Sequence, residues 1–293
     1  MEQFISCRCC GHRDAEVAFV KEGYEVARCL RCGLVYLNAA PTEDELRRFY
    51  SEAYFVGDSD RQGYHDYVAE RGGILATARK RLKAIHHLRP NAKRLLDVGC
   101  ALGFFLEAAR ETWESSGIDI SAYAADYARN RLGLSVTTGT LPDCDLAPGS
   151  FDVITMWDVV EHVPDPCALV QKANEVLRRE GLLVLSTGDV DSLVARVSGT
   201  RWHLFNVPQH LSFFSKETIT RLLERQGFRV LCIDHSGSFY TIGYLSYRMR
   251  TCYQWRLWQA VDTLVHRLAL KDVEVYVNLG DVMTVCAEKA EPA

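Results

Sequence analysis

Long apolar runs are missing from this chain of 293 residues. A helix that crosses a bilayer needs about 20 consecutive apolar residues, and no segment approaches that length, so no membrane span is expected. The opening Met1-Glu2-Gln3 is polar and acidic, with no apolar stretch behind it as a secretory leader would have, and a cytoplasmic location is the expectation. An excess of positive charge is missing as well: the formal net charge is −4 and the isoelectric point lies near 6.2. Proteins that live on nucleic acid usually carry a basic face, so the charge balance argues mildly against such a partner, although a local patch can hide inside an average. Internal repeats and low-complexity tracts are absent, which removes solenoids and disordered arrays. What remains, 48% hydrophobic and 25% charged residues, is the balance of a folded globular protein. The length suits one large domain with a small appendage.

Cysteine, by contrast, is plentiful, with eleven residues. Reduced thiols are the rule in a cytoplasmic chain, so clustered cysteines point to metal rather than to disulfides. The cluster reads Cys7-Arg-Cys9-Cys10-Gly11 and then Cys29-Leu-Arg-Cys32-Gly33. Two Cys-x-x-Cys pairs, each closed by a glycine, can each present two thiolates from one tight turn to a tetrahedral zinc ion. The expected ligands are Cys7, Cys10, Cys29 and Cys32, with Cys9 left over. Between the pairs, Glu16 to Arg28 alternates like a short hairpin. So small a unit cannot bury enough apolar surface to fold alone, and the metal would supply the difference. Four cysteines leave no open coordination position, which favours support or substrate contact over catalysis. The scattered thiols (Cys100, Cys144, Cys167, Cys232, Cys252, Cys286) read as small core residues.

Thr42-x-x-Glu45 forms a capping box that opens a short helix through Leu46, Phe49 and Tyr50. The stretch from Tyr54 to Tyr67 reads as a loop, and an amphipathic helix follows over about Val68 to Leu88. The expected organisation is a zinc ribbon over 1–40, a helical linker and lid over 41–90, and a cofactor-binding domain over 91–293. Insertions are expected at about 191–212 and 239–270.

From Arg94 the pattern becomes strand, turn, helix, repeated. Strands are expected at Leu95–Gly99, Gly117–Ile120, Leu134–Thr138, Phe151–Trp157 and Leu182–Ser186. Helices are expected over Phe104–Trp113, from Ser121 to Gly133, and from Asp165-Pro166 to Gly181. Such alternation implies an α/β protein with a doubly wound parallel sheet, whose ligands gather at the carboxyl ends of the strands. In Asp97-Val-Gly99-Cys-Ala101-Leu-Gly103, small residues allow a ligand close to the backbone. Asp119, at the end of the next strand, can accept both hydroxyls of a ribose. The dinucleotide fingerprint would need a third glycine where Leu106 stands, so a nucleoside without a pyrophosphate fits better.

Three motifs carry a resemblance: Leu-Leu-Asp-Val-Gly-Cys-Ala-Leu-Gly from Leu95, Gly-Ile-Asp-Ile-Ser from Gly117, and Phe-Asp-Val-Ile-Thr-Met-Trp-Asp-Val-Val-Glu-His-Val from Phe151. The segments starting at His210 and at Leu222 extend it. The chain resembles class I, Rossmann-like methyltransferases that use S-adenosylmethionine, over about Arg94 to Asp234. With the ribbon it looks like a subgroup linked to surface-polysaccharide or natural-product modification. The resemblance implies a seven-stranded sheet. It implies that Asp97, Gly99 and Gly103 line the methionine end of the cofactor, with Cys100 and Ala101 also among the cofactor-binding residues. Asp119 would hold the ribose, Ile120, Thr140 and Leu141 would meet the adenine, and Trp157 and Asp158 would lie beside the sulfonium. Ala101 departs from the glycine usual in the family.

Methyl transfer is an in-line displacement in which the protein mainly holds nucleophile and methyl at attack distance. A hydroxyl acceptor also needs a base, for which His162, after the fourth strand, and His210, in the first insertion, are the candidates. In the second insertion Tyr240, Tyr244, Tyr247, Thr251, Trp255, Trp258, Val261, Val265 and Leu268 fall at helical spacing. That stripe reads as a core-facing or homodimer surface, as a lid over an apolar or sugar-like acceptor, or as a face for a membrane surface. Val273–Val277 and Met283–Ala287 read as a closing antiparallel pair. Three functions stay open: methyl transfer to a small-molecule or carbohydrate acceptor, methyl transfer to RNA or protein gripped by the ribbon, and a non-catalytic cofactor-binding module.

Overall fold

The structure, a computed structural model, describes residues 4–42, 45, 48–56, 66–253, 256–268 and 270–290. Two sheets share one core. The larger contains seven strands in the order β10-β13-β8-β7-β4-β5-β6. These are β4 (Arg94–Val98), β5 (Glu114–Asp119), β6 (Val136–Thr138), β7 (Phe151–Trp157), β8 (Leu177–Gly188), β10 (Phe228–Asp234) and β13 (Val282–Lys289). The β6, β5, β4, β7 and β8 strands run parallel, while β13 runs antiparallel to both β8 and β10. β7 is buried along almost its whole length, as a central strand covered on both faces must be.

Helices cover both faces. One face buries α2 (Arg71–Leu88), α3 (Phe104–Ala109) and α4 (Ala122–Leu132) against Leu95, Val153 and Val184. The other buries α5 (Pro166–Val176) and α7 (Lys216–Arg225) against Leu96, Ile154 and Leu185. Local signals set the helix ends. Ser121 accepts the Ala124 amide, Gly133 closes α4 in the left-handed region, and Asp165 caps α5 with Pro166 behind it. Thr42 and Glu45 make the expected reciprocal capping bonds, whereas Leu46 lies outside the described residues.

The four-cysteine segment forms the second sheet, in the order β1 (Ala15–Lys21), β2 (Tyr24–Cys29), β3 (Val35–Leu37) and β9 (Ser212–Phe213). β9 comes from the first insertion, which also carries α6 (Leu193–Ser198). Leu34 and Tyr36 belong to the same buried cluster as Ile154, Leu185 and Leu223. The cysteine sheet is therefore built into the α5/α7 face of the large sheet.

Two expectations are corrected. Val273–Val277 and Met283–Ala287 do not pair with each other. β12 (Glu274–Val277) pairs with β11 (Ser238–Thr241), and β13 enters the large sheet between β8 and β10. Period-two alternation identifies a strand but not its partner. Met283, Val285 and Ala287 gain full burial only inside the large sheet, while β12 alternates exposed and half-buried on a surface ribbon. The stripe from Tyr240 to Leu268 is also not one helix. Tyr240 lies on β11, and α8 (Ile242–Tyr253) and α9 (Arg256–Arg267) follow, with Trp255 outside the described residues. Two shorter differences are local. Phe104–Trp113 ends as a helix at Ala109, and β8 begins at Leu177, where Leu177 pairs with Phe151. Among the described residues no helix is long and apolar enough to cross a membrane.

Candidate functional site

A cavity of about 550 Å³ lies at the carboxyl ends of β4, β5 and β7. Its floor is the turn after β4. Gly99 sits at φ +72°, and a side chain there would meet Val159 Cγ2 at 2.5 Å. Only glycine lets this backbone face the cavity. Ala101 adopts φ +49°, a conformation that costs an alanine but not a glycine. Its amide donates to Asp119 Oδ2 at 2.7 Å, and the Ser121 amide donates to Asp119 Oδ1 at 2.8 Å. The turn is thus tied across to the end of β5. Burial pushes the Asp119 carboxyl up to about 6, against these two amides, which favour the charged form. Asp97 accepts from Thr155 Oγ1 at 2.6 Å and is pushed up by burial to about 7.

Ten of the eleven expected cofactor residues line this cavity: Asp97, Gly99, Cys100, Ala101, Asp119, Ile120, Thr140, Leu141, Trp157 and Asp158. Gly103 does not. At φ +88° it starts α3, and a side chain there would meet Leu134 Cδ1 at 2.7 Å and Ala128 Cβ at 3.0 Å. Its place in the motif serves helix packing. Asp158 is held at φ +55°, with Ser186 Oγ donating to its carboxylate at 2.8 Å.

Two further polar side chains line this half. The buried Trp157 Nε1–H has no partner among the described residues. Arg81, on α2, lays its guanidinium 4.0 Å from the centre of the Trp157 ring, where burial lowers its pKa. Arg81 lines the cavity near Asp97 and Asp158, and the motifs gave no hint of it. The signal was present, since it occupies the same helical face as Ile74, Ala78 and Ile85, where a charge is out of place.

The opposite half of the cavity is aromatic. Tyr50, Tyr54 and Phe55 come from around α1 (Glu52–Val56), and Phe239, Tyr240 and Tyr244 come from the second insertion. Tyr240 and Tyr244 stack at 5.6 Å with 12° between their planes. Tyr50 Oη lies 2.9 Å from His162 Nδ1, which is also 3.1 Å from the Gln209 carbonyl. Burial pushes His162 down to about 4, so it is neutral at pH 7. His210 is not on the cavity wall. Its ring sits behind His162, edge-on, with centroids 4.5 Å apart, and its Nδ1 is 2.8 Å from the Leu204 carbonyl.

The four expected metal ligands come together. Cys7 and Cys32 Sγ are 3.5 Å apart, as are Cys10 and Cys29, and all four sulfurs lie within 4.8 Å of one another. Sulfurs held about 2.3 Å from a tetrahedral zinc ion would be separated by about 3.8 Å, so the set fits that metal with little adjustment. The first knuckle also touches the cavity rim. Arg8 donates to the Pro164 carbonyl at 2.7 Å and to Ala39 at 2.5 Å, and Cys167 on α5 bonds the carbonyls of Arg8 and Cys9.

Comparison with known proteins agrees with this geometry. A family profile described as "Methyltransferase domain" matches residues 67–233. An enzyme named ubiquinone biosynthesis O-methyltransferase from Neisseria meningitidis is 36% identical over 110 residues, 34% of this chain and 46% of that protein. The enzyme of the same name from Thiobacillus denitrificans is 34% identical over 133 residues, covering 42% and 57%. The chain therefore spans about half the length of the curated relatives it matches. A solved structure, a SAM-dependent methyltransferase from Archaeoglobus fulgidus, superposes with a TM-score of 0.51 at 18% identity over 73% of this chain and 94% of that one, a likeness of fold.

Proposed function

We propose that this chain, which belongs to the methyltransferase-domain family, moves the methyl group of S-adenosylmethionine onto a small hydroxylated acceptor held by the aromatic half of the cavity. One observation carries the reading: the glycine turn, the buried Asp119 carboxylate and a group of tyrosines line one cavity. In this reading Asp119 accepts the ribose hydroxyls and Gly99 lets the methionine chain pass against backbone. Arg81 pairs with the cofactor carboxylate, and Trp157 lies beside the sulfonium. The bound cofactor supplies an electrophilic methyl group, and the residues around it supply position and a dry surface.

The acceptor class follows from the wall. Stacked Tyr240 and Tyr244, with Tyr50 and Tyr54 opposite, suit a flat ring, and a phenolic or quinol-like hydroxyl agrees with the names of the relatives. A sugar ring also stacks on tyrosine, so a carbohydrate acceptor belongs in the same trial. RNA is less well served, because Arg8, one of the basic residues of the cysteine sheet, already spends its guanidinium on two carbonyls. Zinc at Cys7, Cys10, Cys29 and Cys32 would crosslink the small sheet and hold it on the α5/α7 face. A cytoplasmic enzyme with reduced thiols is the setting this implies.

His162 is the histidine that an acceptor hydroxyl can reach. Its low pKa keeps it free to accept a hydrogen bond but makes it a weak base, since a general base works best with a pKa near the operating pH. The first experiment is calorimetric titration with S-adenosylmethionine and S-adenosylhomocysteine. Release of S-adenosylhomocysteine is then measured over phenolic, quinol and sugar acceptors. Micromolar cofactor binding and turnover with one acceptor class support the proposal. A folded, zinc-loaded sample that binds neither ligand would overturn it and bring forward the binding-module reading.

A further inference from the structure

Behind the aromatic wall lies a cluster that the cofactor slot does not use. Glu161, His162 and His210 each place one donor atom within 4.8 Å of the other two. The Glu161 side chain is buried, and its Oε2 has no partner among the described residues. Unpartnered buried carboxylate oxygens are costly and call for a cation or a proton.

The two imidazoles are prepared for the same task. A carbonyl can only accept a hydrogen bond. His210 therefore carries hydrogen on Nδ1 to satisfy Leu204, and His162 carries it on Nδ1 in the tautomer that satisfies Gln209. In that tautomer Tyr50 Oη also accepts from the His162 Nδ1–H, and in both rings Nε2 is left as the available lone pair. An imidazole whose Nδ1–H is anchored on a backbone carbonyl is the usual arrangement of a histidine ligand. The backbone is fixed too, since the Glu161 carbonyl accepts from the amides of Leu211 and Ser212.

We propose that Glu161, His162 and His210 form a second metal site, set behind the acceptor end of the cavity and reached from it beside His162, the one of the three that lines it, for a divalent cation of the zinc or iron(II) class. Two imidazoles and one carboxylate suit such cations, and three protein ligands leave positions for an outside oxygen. This differs from the closed four-thiolate site. The chemical role rests on the methyl-transfer reading above. A hydroxyl of the acceptor that binds the cation loses its proton to solvent more readily, because the metal stabilises the oxyanion. That oxygen forms the new bond to the methyl carbon as the carbon–sulfur bond breaks, and the bonding pair stays on sulfur, leaving a neutral thioether.

The test uses the full chain with zinc already in its four-cysteine site, dialysed free of loose metal and titrated with Co²⁺. The expected result is one further equivalent bound, with weak ligand-field absorption and no intense thiolate charge-transfer band. His210→Ala and Glu161→Gln should each abolish that equivalent while retaining the structural zinc and S-adenosylhomocysteine binding, since neither side chain lines the cavity. Absence of a further equivalent in the wild-type protein overturns the site, whatever the folding of the variants. So does a cobalt signal that carries only thiolate bands. Binding of S-adenosylhomocysteine is read separately. A protein that binds it but takes no second cation loses the metal site and keeps the methyl-transfer reading. The opposite pair of results keeps the site and removes its proposed role.

Discussion

The two halves of the cavity are built by different rules. The donor half is mostly backbone and short side chains on the turns after β4, β5 and β7, drawn from residues 97–101 and 118–120 and from positions near 140, with Trp157 and Arg81 beside them. The acceptor half is large aromatic side chains on α1, β11 and α8, elements far apart in sequence and joined only by packing. Glycine geometry and paired amides make the first half rigid and specific for one ligand. Ring faces make the second adaptable, since tyrosine offers apolar area with one polar tip.

Substitutions can break this division of labour. The largest expected effect is on the donor half. Asp119→Ala should weaken S-adenosylhomocysteine binding on the order of a hundredfold in calorimetry, because charge-assisted bonds to two hydroxyls are lost. Unchanged affinity would remove Asp119 from the cofactor site. Next comes the cysteine sheet. Cys29→Ser should release zinc and lower acceptor turnover on the order of tenfold, because the rim at Pro164 hangs from Arg8. Cofactor affinity should move by less than about threefold, because none of the four cysteines lines the cavity. Equal losses in both would mean that the sheet supports the whole cavity. A similar loss, on the order of tenfold in KM with unchanged cofactor affinity, is expected for Tyr244→Ala once an acceptor is known.

Acidity sharpens the comparison from another side. Folding raises the carboxyl of Asp119 to about 6 and that of Asp97 to about 7, so the folded chain keeps protons the unfolded chain has lost. The contribution of these two groups to stability is therefore present at low pH and declines as pH rises from about 4 to 7. Cofactor affinity should run the other way and fall as pH drops below about 6, where Asp119 ceases to be an anion. Calorimetry at pH 5 and pH 7.5 checks this, and a flat profile would remove the carboxylate from ribose recognition. The smallest expected effect is that of Ala101→Gly. Relief of the left-handed backbone, offset by the entropy of glycine, should change stability by no more than about 1 kcal/mol. Thermal melting reads it, and a loss of several degrees would mean that the Ala101 methyl packs usefully.

The division also marks what was legible in sequence. The donor half could be read because its chemistry is local. The caps at Ser121 and Asp165 each act three residues ahead, and the glycine turn and the Asp119 carboxylate stand on consecutive strands and meet through one bond 18 residues apart. The four cysteines were legible for the same reason, since each pair sits in one turn. Gly103 shows the limit, because its spacing fitted a ligand contact while its space is taken by Leu134 and Ala128.

Sequence by itself determined the periodicities, and with them the α/β class, the parallel strands of the core, the capped helix ends at Ser121, Gly133 and Asp165, and the paired cysteines. Tertiary structure alone decided the partners. β13 was placed between β8 and β10 instead of against β12, because only there do Met283, Val285 and Ala287 leave water completely. It placed Arg81 over Trp157 and set His210 behind His162. It also merged the cysteine sheet with the large domain through β3 and β9. Contacts of this kind join residues distant along the chain, and alternation or spacing within one segment carries no record of which distant segment completes its burial.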